Sequence, residues 1–344
     1  FPVSTGLRPQ PVDAEHTVFQ FEPSRDFVFS RDWNFNVANK GRVNDDGFVN
    51  DQDYTKNASE LPLIAIVGDS FVEAQMVPYE ETIQGRLARA HAGEFRVFSF
   101  AASGAPLSQY LIWAEYVRDR YKPKGLVFVV VGNDFDESLA KYSICPGQHH
   151  FAPNARGELE LVRFDFEPNA LAPLVYSSAL ARYLNLNLKL STRVSALGRW
   201  ISGTRKPEST WFVGNTPAEF TPERKADSQA ALDAFFRELP QRSGLQPDQI
   251  CFLLDAMRPE IYDARELEKA RASYFSQMRS AFLKTARQNM YEVIDLEPYF
   301  LQRHQADRAV FEFPTDYHWN GIGHEVAASA FRGSRLLNAL EGFK

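Results

Sequence analysis

The chain has 344 residues, of which 44% are hydrophobic, 24% charged and 13% aromatic, the composition of a packed globular body and not of a disordered one. Its net charge of -6 comes from 44 acidic against 38 basic residues, with no Lys/Arg block to neutralise a row of phosphates, so nucleic acid is not an expected partner. The longest apolar runs, Leu61 to Val67 and Leu126 to Val131, fall far short of the roughly 20 residues that cross a bilayer.

At about 150 residues per domain the length admits one large domain or two. The chain opens on Phe1 instead of Met, so loss of an upstream leader and an exported location, periplasmic or extracellular, are expected. Residues 1–60 scatter aromatics (Phe19, Phe21, Phe27, Phe29, Trp33, Phe35) among Asn, Asp and Gly, which predicts a β-rich apron packed on the main body, 61–344. The Asn57-Ala-Ser59 triplet fits a glycosylation sequon, a pattern too frequent by chance to carry an inference.

The run from Leu61 to Val67 is continuously apolar, as a parallel strand covered on both faces would be, and it ends at Gly68-Asp69-Ser70. A helix is expected from about Tyr79, then a strand from Phe95 to Phe100 leading into Gly104, a helix from Leu107 to Tyr121, and a strand from Gly125 to Val131 delivering Gly132-Asn133-Asp134. From about 138 to 246 the alternation stops, which predicts a helical and looped insertion acting as a cap or lid, with an amphipathic stretch from Asn169 to about Ile201. The alternation resumes with a strand from Ile250 to Leu254, a long helix within Arg265 to Gln288, a strand from Tyr291 to Ile294 and a last helix from about Gly321 to Leu340. Alternating strands and helices predict an α/β fold, a three-layer αβα sandwich around a five-stranded, mainly parallel sheet.

In such a sheet the ligand crevice lies beyond the carboxyl ends of the strands. Those ends present Ser70, Gly104 and Asn133, and Asp316-Tyr317-His318 follows the last strand. Together they are the parts of an acyl-transfer site. A serine hydroxyl needs a base within hydrogen-bond reach, here assigned to His318, with Asp316 to hold the imidazole tautomer. The oxyanion of a tetrahedral intermediate needs donors, assigned to the backbone N–H groups of Ser70 and Gly104 and the side-chain amide of Asn133. His324 competes as base and Asp255 as the orienting acid; Asp134 and Asp295 read as turn or capping residues.

Four blocks in this order, Gly68-Asp69-Ser70, Gly104, Gly132-Asn133-Asp134 and Asp316-Tyr317-His318, resemble those of the SGNH (GDSL-like) hydrolases and acyltransferases, over about Leu61 to Phe331. The resemblance implies the flavodoxin-like SGNH core and a serine-dependent ester hydrolase or O-acyltransferase working through an acyl-enzyme, with no metal or organic cofactor. Phe71 stands where the motif has Leu, and one residue separates Asp316 from His318 where many members have two. That shorter spacing is similar to branches related to polysaccharide O-acetyltransferases and acetylesterases, which turns the expectation toward O-acetylated carbohydrate as substrate. Two other readings stay open: an inactive glycan-binding module of the same fold, and a lipase or thioesterase with an apolar acyl pocket in the insertion.

Cys145, in a Pro/Gly loop, and Cys251, in an apolar run, leave disulfide pairing undecided. Cys145, His149 and His150 are zinc-type ligands, but their spacing matches no compact zinc pattern and reads as a solvated loop. Oligomeric state is not legible.

Overall fold

The computed structural model describes residues 2–55, 60–170, 172–190 and 211–341. Five strands, β3 (Leu63–Gly68), β4 (Arg96–Ala101), β5 (Gly125–Val130), β10 (Ile250–Leu254) and β11 (Glu292–Asp295), form one sheet in the order β11-β10-β5-β3-β4, parallel throughout. Every residue of β3, β5 and β10 is buried, which is why these strands read as unbroken apolar runs without alternation.

The chain moves outward from β3 to β4 and then crosses back over β3 to β5. Right-handed crossovers therefore place the first helix on one face and those after β4, β5 and β10 on the other. Accordingly, Ile83–Ala90 packs on Gly321–Phe331, which packs on Glu297–Asp307, while Leu107–Tyr121 packs on Pro222–Ser243, which packs on Tyr274–Gln288. The reversal between β3 and β5 is a topological switch point, where open α/β sheets form their crevice.

Among the described residues, four antiparallel hairpins lie around this body. β1 (Arg25–Arg31) pairs with β2 (Val37–Val43), β6 (His149–Pro153) with β7 (Leu159–Arg163), β8 (Phe212–Val213) with β9 (Thr216–Pro217), and β12 (Glu312–Phe313) with β13 (Asp316–Trp319).

Three expectations change. The stretch 138–246 contains Pro222–Ser243, which is a crossover helix of the main body and not part of a cap: it buries Leu232, Phe235, Phe236 and Leu239, each worth roughly 1.5–3 kcal/mol of burial. Its start is marked by Thr221, whose hydroxyl accepts from the Arg224 N–H at 3.1 Å, and by Pro222 in the first turn. The helix expected within Arg265 to Gln288 is two, Ala264–Ala270 and Tyr274–Gln288, the second capped by Ser273. The last helix breaks after Phe331 and restarts at Arg335, where Ser334 Oγ accepts from the Leu337 N–H at 3.1 Å.

Within the amphipathic stretch, Ala172–Ser177, Ala179–Arg182 and Tyr183–Asn187 are helical. This part rests on the β1–β2 hairpin: the Tyr183 hydroxyl donates to the Trp33 carbonyl at 3.1 Å, its ring meets Phe35, and Asn187 Nδ2 donates to Ser30 Oγ at 2.7 Å. Residues 191–201, the remainder of that expectation, and the Asn57 sequon lie outside the described residues. Among the described residues no helix is long and apolar enough to cross a membrane. Cys145 and Cys251 are free thiols.

Candidate active site

The candidate nucleophile follows β3 directly. Gly68 ends the strand where a Cβ would come within 2.4 Å of Val72 Cγ2, so only glycine lets the chain turn this closely into the next helix. Asp69 then caps the short helix Ser70–Glu73 by accepting from the Phe71 N–H at 2.9 Å. Ser70 is thereby presented at the start of the helix, at the switch point.

The hydroxyl of Ser70 donates to His318 Nε2 at 2.6 Å. His318 Nδ1 in turn donates to Asp316 Oδ1, and the His318 backbone N–H donates to the same oxygen at 3.1 Å. One intervening residue suffices for this because Asp316–Trp319 is a strand, so that Asp316 and His318 project to the same side. Burial pushes the Asp316 carboxyl up, but the His318 hydrogen bond and the charges of His318 and Arg31 outweigh it and hold the group at about 2. Phe71, the departure from the motif's Leu, packs its ring 4.9 Å from that of His318 and edge-on to Trp319 at 5.4 Å. It packs beside the imidazole at a tilt of 45°.

Gly104 and Asn133 follow β4 and β5, the two neighbours of β3 in the sheet. Gly104 has φ of +75° and nothing within 4 Å of where its Cβ would point, so its backbone takes a left-handed turn beside open space. Asn133 is held at both ends of its amide: Nδ2 donates to Glu137 Oε2 at 2.8 Å, and Oδ1 accepts from Asn215 in the β8–β9 turn.

The competing residues have other partners. Asp255 accepts from Arg258 Nη2 at 2.7 Å and from Trp319 Nε1 at 3.0 Å. His324 is buried, accepts from the Ile83 N–H at 3.2 Å, and is pushed down to about 3 by burial and nearby arginines, so it stays neutral. Asp134 accepts from the Val131 N–H at 2.9 Å and Tyr110 Oη at 3.1 Å, and Asp295 from Arg279. Both ring nitrogens of His150 are engaged by backbone, Nδ1 with the Glu137 carbonyl and Nε2 with the Cys145 N–H, while His149 Nδ1 pairs with Gln109 Oε1.

Sequence reasoning missed three groups around this centre. Arg31, at the end of β1, donates to Asp316 Oδ2. Glu73 accepts from Ser103 Oγ and from Gln75 Nε2, linking the helix after Ser70 to the residue before Gly104. Its carboxyl is raised to about 7, burial outweighing those two bonds. Arg258 is buried between Asp255 at the end of β10 and Glu312 of β12, at 2.7 and 3.2 Å, and so ties the Asp316–His318 hairpin to the sheet. The position of Glu73, three residues after the serine on a helix, was a usable signal; Arg31 had none.

Residues 214–334 match the family described as the SGNH hydrolase-like domain of the acetyltransferase AlgX. Over that span the chain is similar to this family. The match spans about a third of its length and includes the Asp316–His318 hairpin. No curated protein matches the sequence. Solved structures similar to the chain include LAE5, an α/β hydrolase enzyme from the metagenome of Lake Arreo, Spain, at 14% identity over 80% of this chain and 96% of that one, with a TM-score of 0.41. A member of the lipolytic G-D-S-L family from Veillonella parvula aligns at 10% identity over 78% and 95%, with a TM-score of 0.39. A two-domain esterase, CEX, active on acetylated mannans aligns at 10% identity over 82% of this chain and 50% of that one, with a TM-score of 0.41.

Proposed function

We propose that the protein is a serine-dependent ester hydrolase or O-acyltransferase acting on O-acetylated carbohydrate. The observation that carries this reading is the run of hydrogen bonds from Ser70 Oγ through His318 to Asp316. Ser70 Oγ attacks the ester carbonyl carbon as its proton passes to His318 Nε2, and Asp316 stabilises the imidazolium. The resulting oxyanion receives the backbone N–H groups of Ser70 and Gly104 and the second N–H of the Asn133 amide. Collapse breaks the ester C–O bond, His318 returns the proton to the departing sugar oxygen, and an acyl-serine remains. Water or an acceptor hydroxyl then attacks that acyl group with His318 again as base, giving hydrolysis or transfer.

The substrate class rests on the AlgX acetyltransferase description of the matched family and on one exposed aromatic near the site. Trp33, 72% exposed, follows the Arg31-Asp32 pair that bonds the Asp316 segment. Flat apolar faces of this kind stack on the C–H faces of a pyranose. The reading carries with it an N-terminal apron, 1–60, set against the hydrolase body, and an exported location where acetylated polysaccharide is met.

Intact mass after treatment with a fluorophosphonate tests the nucleophile. A single adduct on the wild type that is missing in Ser70→Ala is the expected result. No adduct on folded wild type would replace this reading with the glycan-binding module.

A further inference from the structure

The Asp316 carboxylate has two oxygens, and only Oδ1 serves His318. Oδ2 accepts from the guanidinium of Arg31, which is 285 residues away in sequence and belongs to β1. A second bond repeats the attachment one residue along, where Thr315 Oγ1 donates to Asp32 Oδ2 at 2.9 Å. The hairpin tip that supplies Arg31 is itself held in an uncommon conformation. Asp32 and Phe35 both have left-handed φ, of 64° and 59°, which costs energy for residues with a Cβ. Phe35 and the Trp33 carbonyl are both fixed by Tyr183. Strain held in place by outside contacts, at a tip whose side chain reaches the candidate triad, is the pattern of a functional constraint.

From this geometry we infer that Arg31 is a positioning residue for the reaction, and that the β1–β2 hairpin is thereby a working part of the active site. Arg31 does not touch the reacting atoms. It locks the carboxylate plane so that Oδ1 stays on His318 Nδ1, and it balances part of the negative charge that the imidazolium would otherwise feel. The inference rests on the proposed Ser70–His318–Asp316 chemistry.

Other charges face this pair from the surrounding elements. Asp69, on the nucleophile turn, bonds Ser70 at 3.3 Å and carries a raised carboxyl, burial being the main cause. Lys189 lies close enough to interact with Asp316, Arg31 and Asp32. Arg258 donates to the Tyr317 carbonyl at 3.5 Å and pairs with Asp255 and Glu312, and His324 sits behind Trp319. None of these donates to Asp316 Oδ2 among the bonds described; Arg31 does.

The test compares wild type, Arg31→Gln and Arg31→Lys as full chains, measuring the pH profile of kcat/KM on p-nitrophenyl acetate and the rate of fluorophosphonate labelling. Loss of the Arg31 charge leaves more of the Asp316 charge to stabilise the protonated, inactive base. The acid limb of the Arg31→Gln profile therefore moves to higher pH, by about half a unit to one unit. The plateau falls on the order of tenfold. Arg31→Lys keeps the charge without the planar fork, so it restores the limb and only part of the plateau. Simple loss of folded protein would scale the whole profile down and leave the limb in place, so a fall without a shift, or no change in Arg31→Gln, overturns the inference. If wild type itself neither labels nor turns over ester, it is the proposed chemistry that fails, and the two failures are told apart by that first measurement.

Discussion

Replacing Asn133 with Ala removes the one side-chain donor assigned to the oxyanion. The amide has two N–H groups; one is committed to Glu137 Oε2 at 2.8 Å, and Asn215 holds the carbonyl end, which keeps the amide from rotating and leaves the other N–H for the proposed oxyanion. Deleting a single donor of this kind costs about 3–4 kcal/mol at the transition state, or roughly 100- to 1000-fold in kcat. The same change leaves Glu137 without its donor, but burial already raises that carboxyl to about 7, so protonation absorbs part of the loss and the folding cost stays within about 1–3 kcal/mol. The assay is kcat on p-nitrophenyl acetate, normalised to active sites by stoichiometric phosphonate labelling, with a thermal melt as control. Asn215→Ala, which frees only the carbonyl end, is expected to lose less. An Asn133→Ala enzyme that keeps kcat within about threefold of wild type while labelling normally would refute the assignment, leaving the backbone N–H groups of Ser70 and Gly104 as the donors.

Arg258→Met strands the buried carboxylates of Asp255 and Glu312; the expected loss is about 3–5 kcal/mol, a fall in Tm of roughly 4–7 °C for a chain this long, and a melt within about 1 °C of wild type would contradict the ion-pair argument. Glu73 gives a pH dependence of opposite kind to that of an ordinary salt-bridged acid. Its carboxyl is raised from 4.5 to about 7, chiefly by burial, so the folded state binds the proton more tightly than the unfolded one. The contribution of Glu73 to stability is therefore greatest below 4.5, and about 3 kcal/mol of it is lost as pH rises from there through 7. Glu73→Gln removes this titration, so its Tm should fall less than that of wild type between about pH 5 and pH 8; parallel curves would show that Glu73 ionises freely. Trp33→Ala should raise KM for an acetylated polysaccharide by about tenfold, and more than it raises KM for p-nitrophenyl acetate; equal effects on the two substrates would remove Trp33 from the sugar platform.

What the sequence made legible follows physical locality. β3, β5 and β10 were readable because a strand buried on both faces has no polar residue to interrupt it, and the helix Leu107–Tyr121 was readable because Pro123 punctuates the turn after it. The five-stranded parallel sheet followed from their alternation. Pro222–Ser243 was lost inside the insertion, although Thr221, Pro222 and the spacing of Leu232, Phe235, Phe236 and Leu239 carried a helix start and an apolar face. There the polar surroundings outweighed a readable local signal. The break after Phe331 had its signal too, Gly333 followed by the capping Ser334.

The network around the candidate triad had no such signal, because its members meet only in three dimensions. Arg31 reaches Asp316 across 285 positions and Asn215 reaches Asn133 across 82, and no periodicity or spacing links such pairs. Both come from hairpins that flank the sheet, while Ser70, Gly104 and Asn133 come from its strand ends. The candidate nucleophile and the proposed oxyanion donors are thus placed by the sheet, the Asp316–His318 pair by the β12–β13 hairpin, and two further hairpins hold that pair and Asn133 through Arg31 and Asn215. Differences in chemistry between proteins with this sheet should accordingly track the hairpin contacts to Asp316 and Asn133 more closely than the reacting residues themselves.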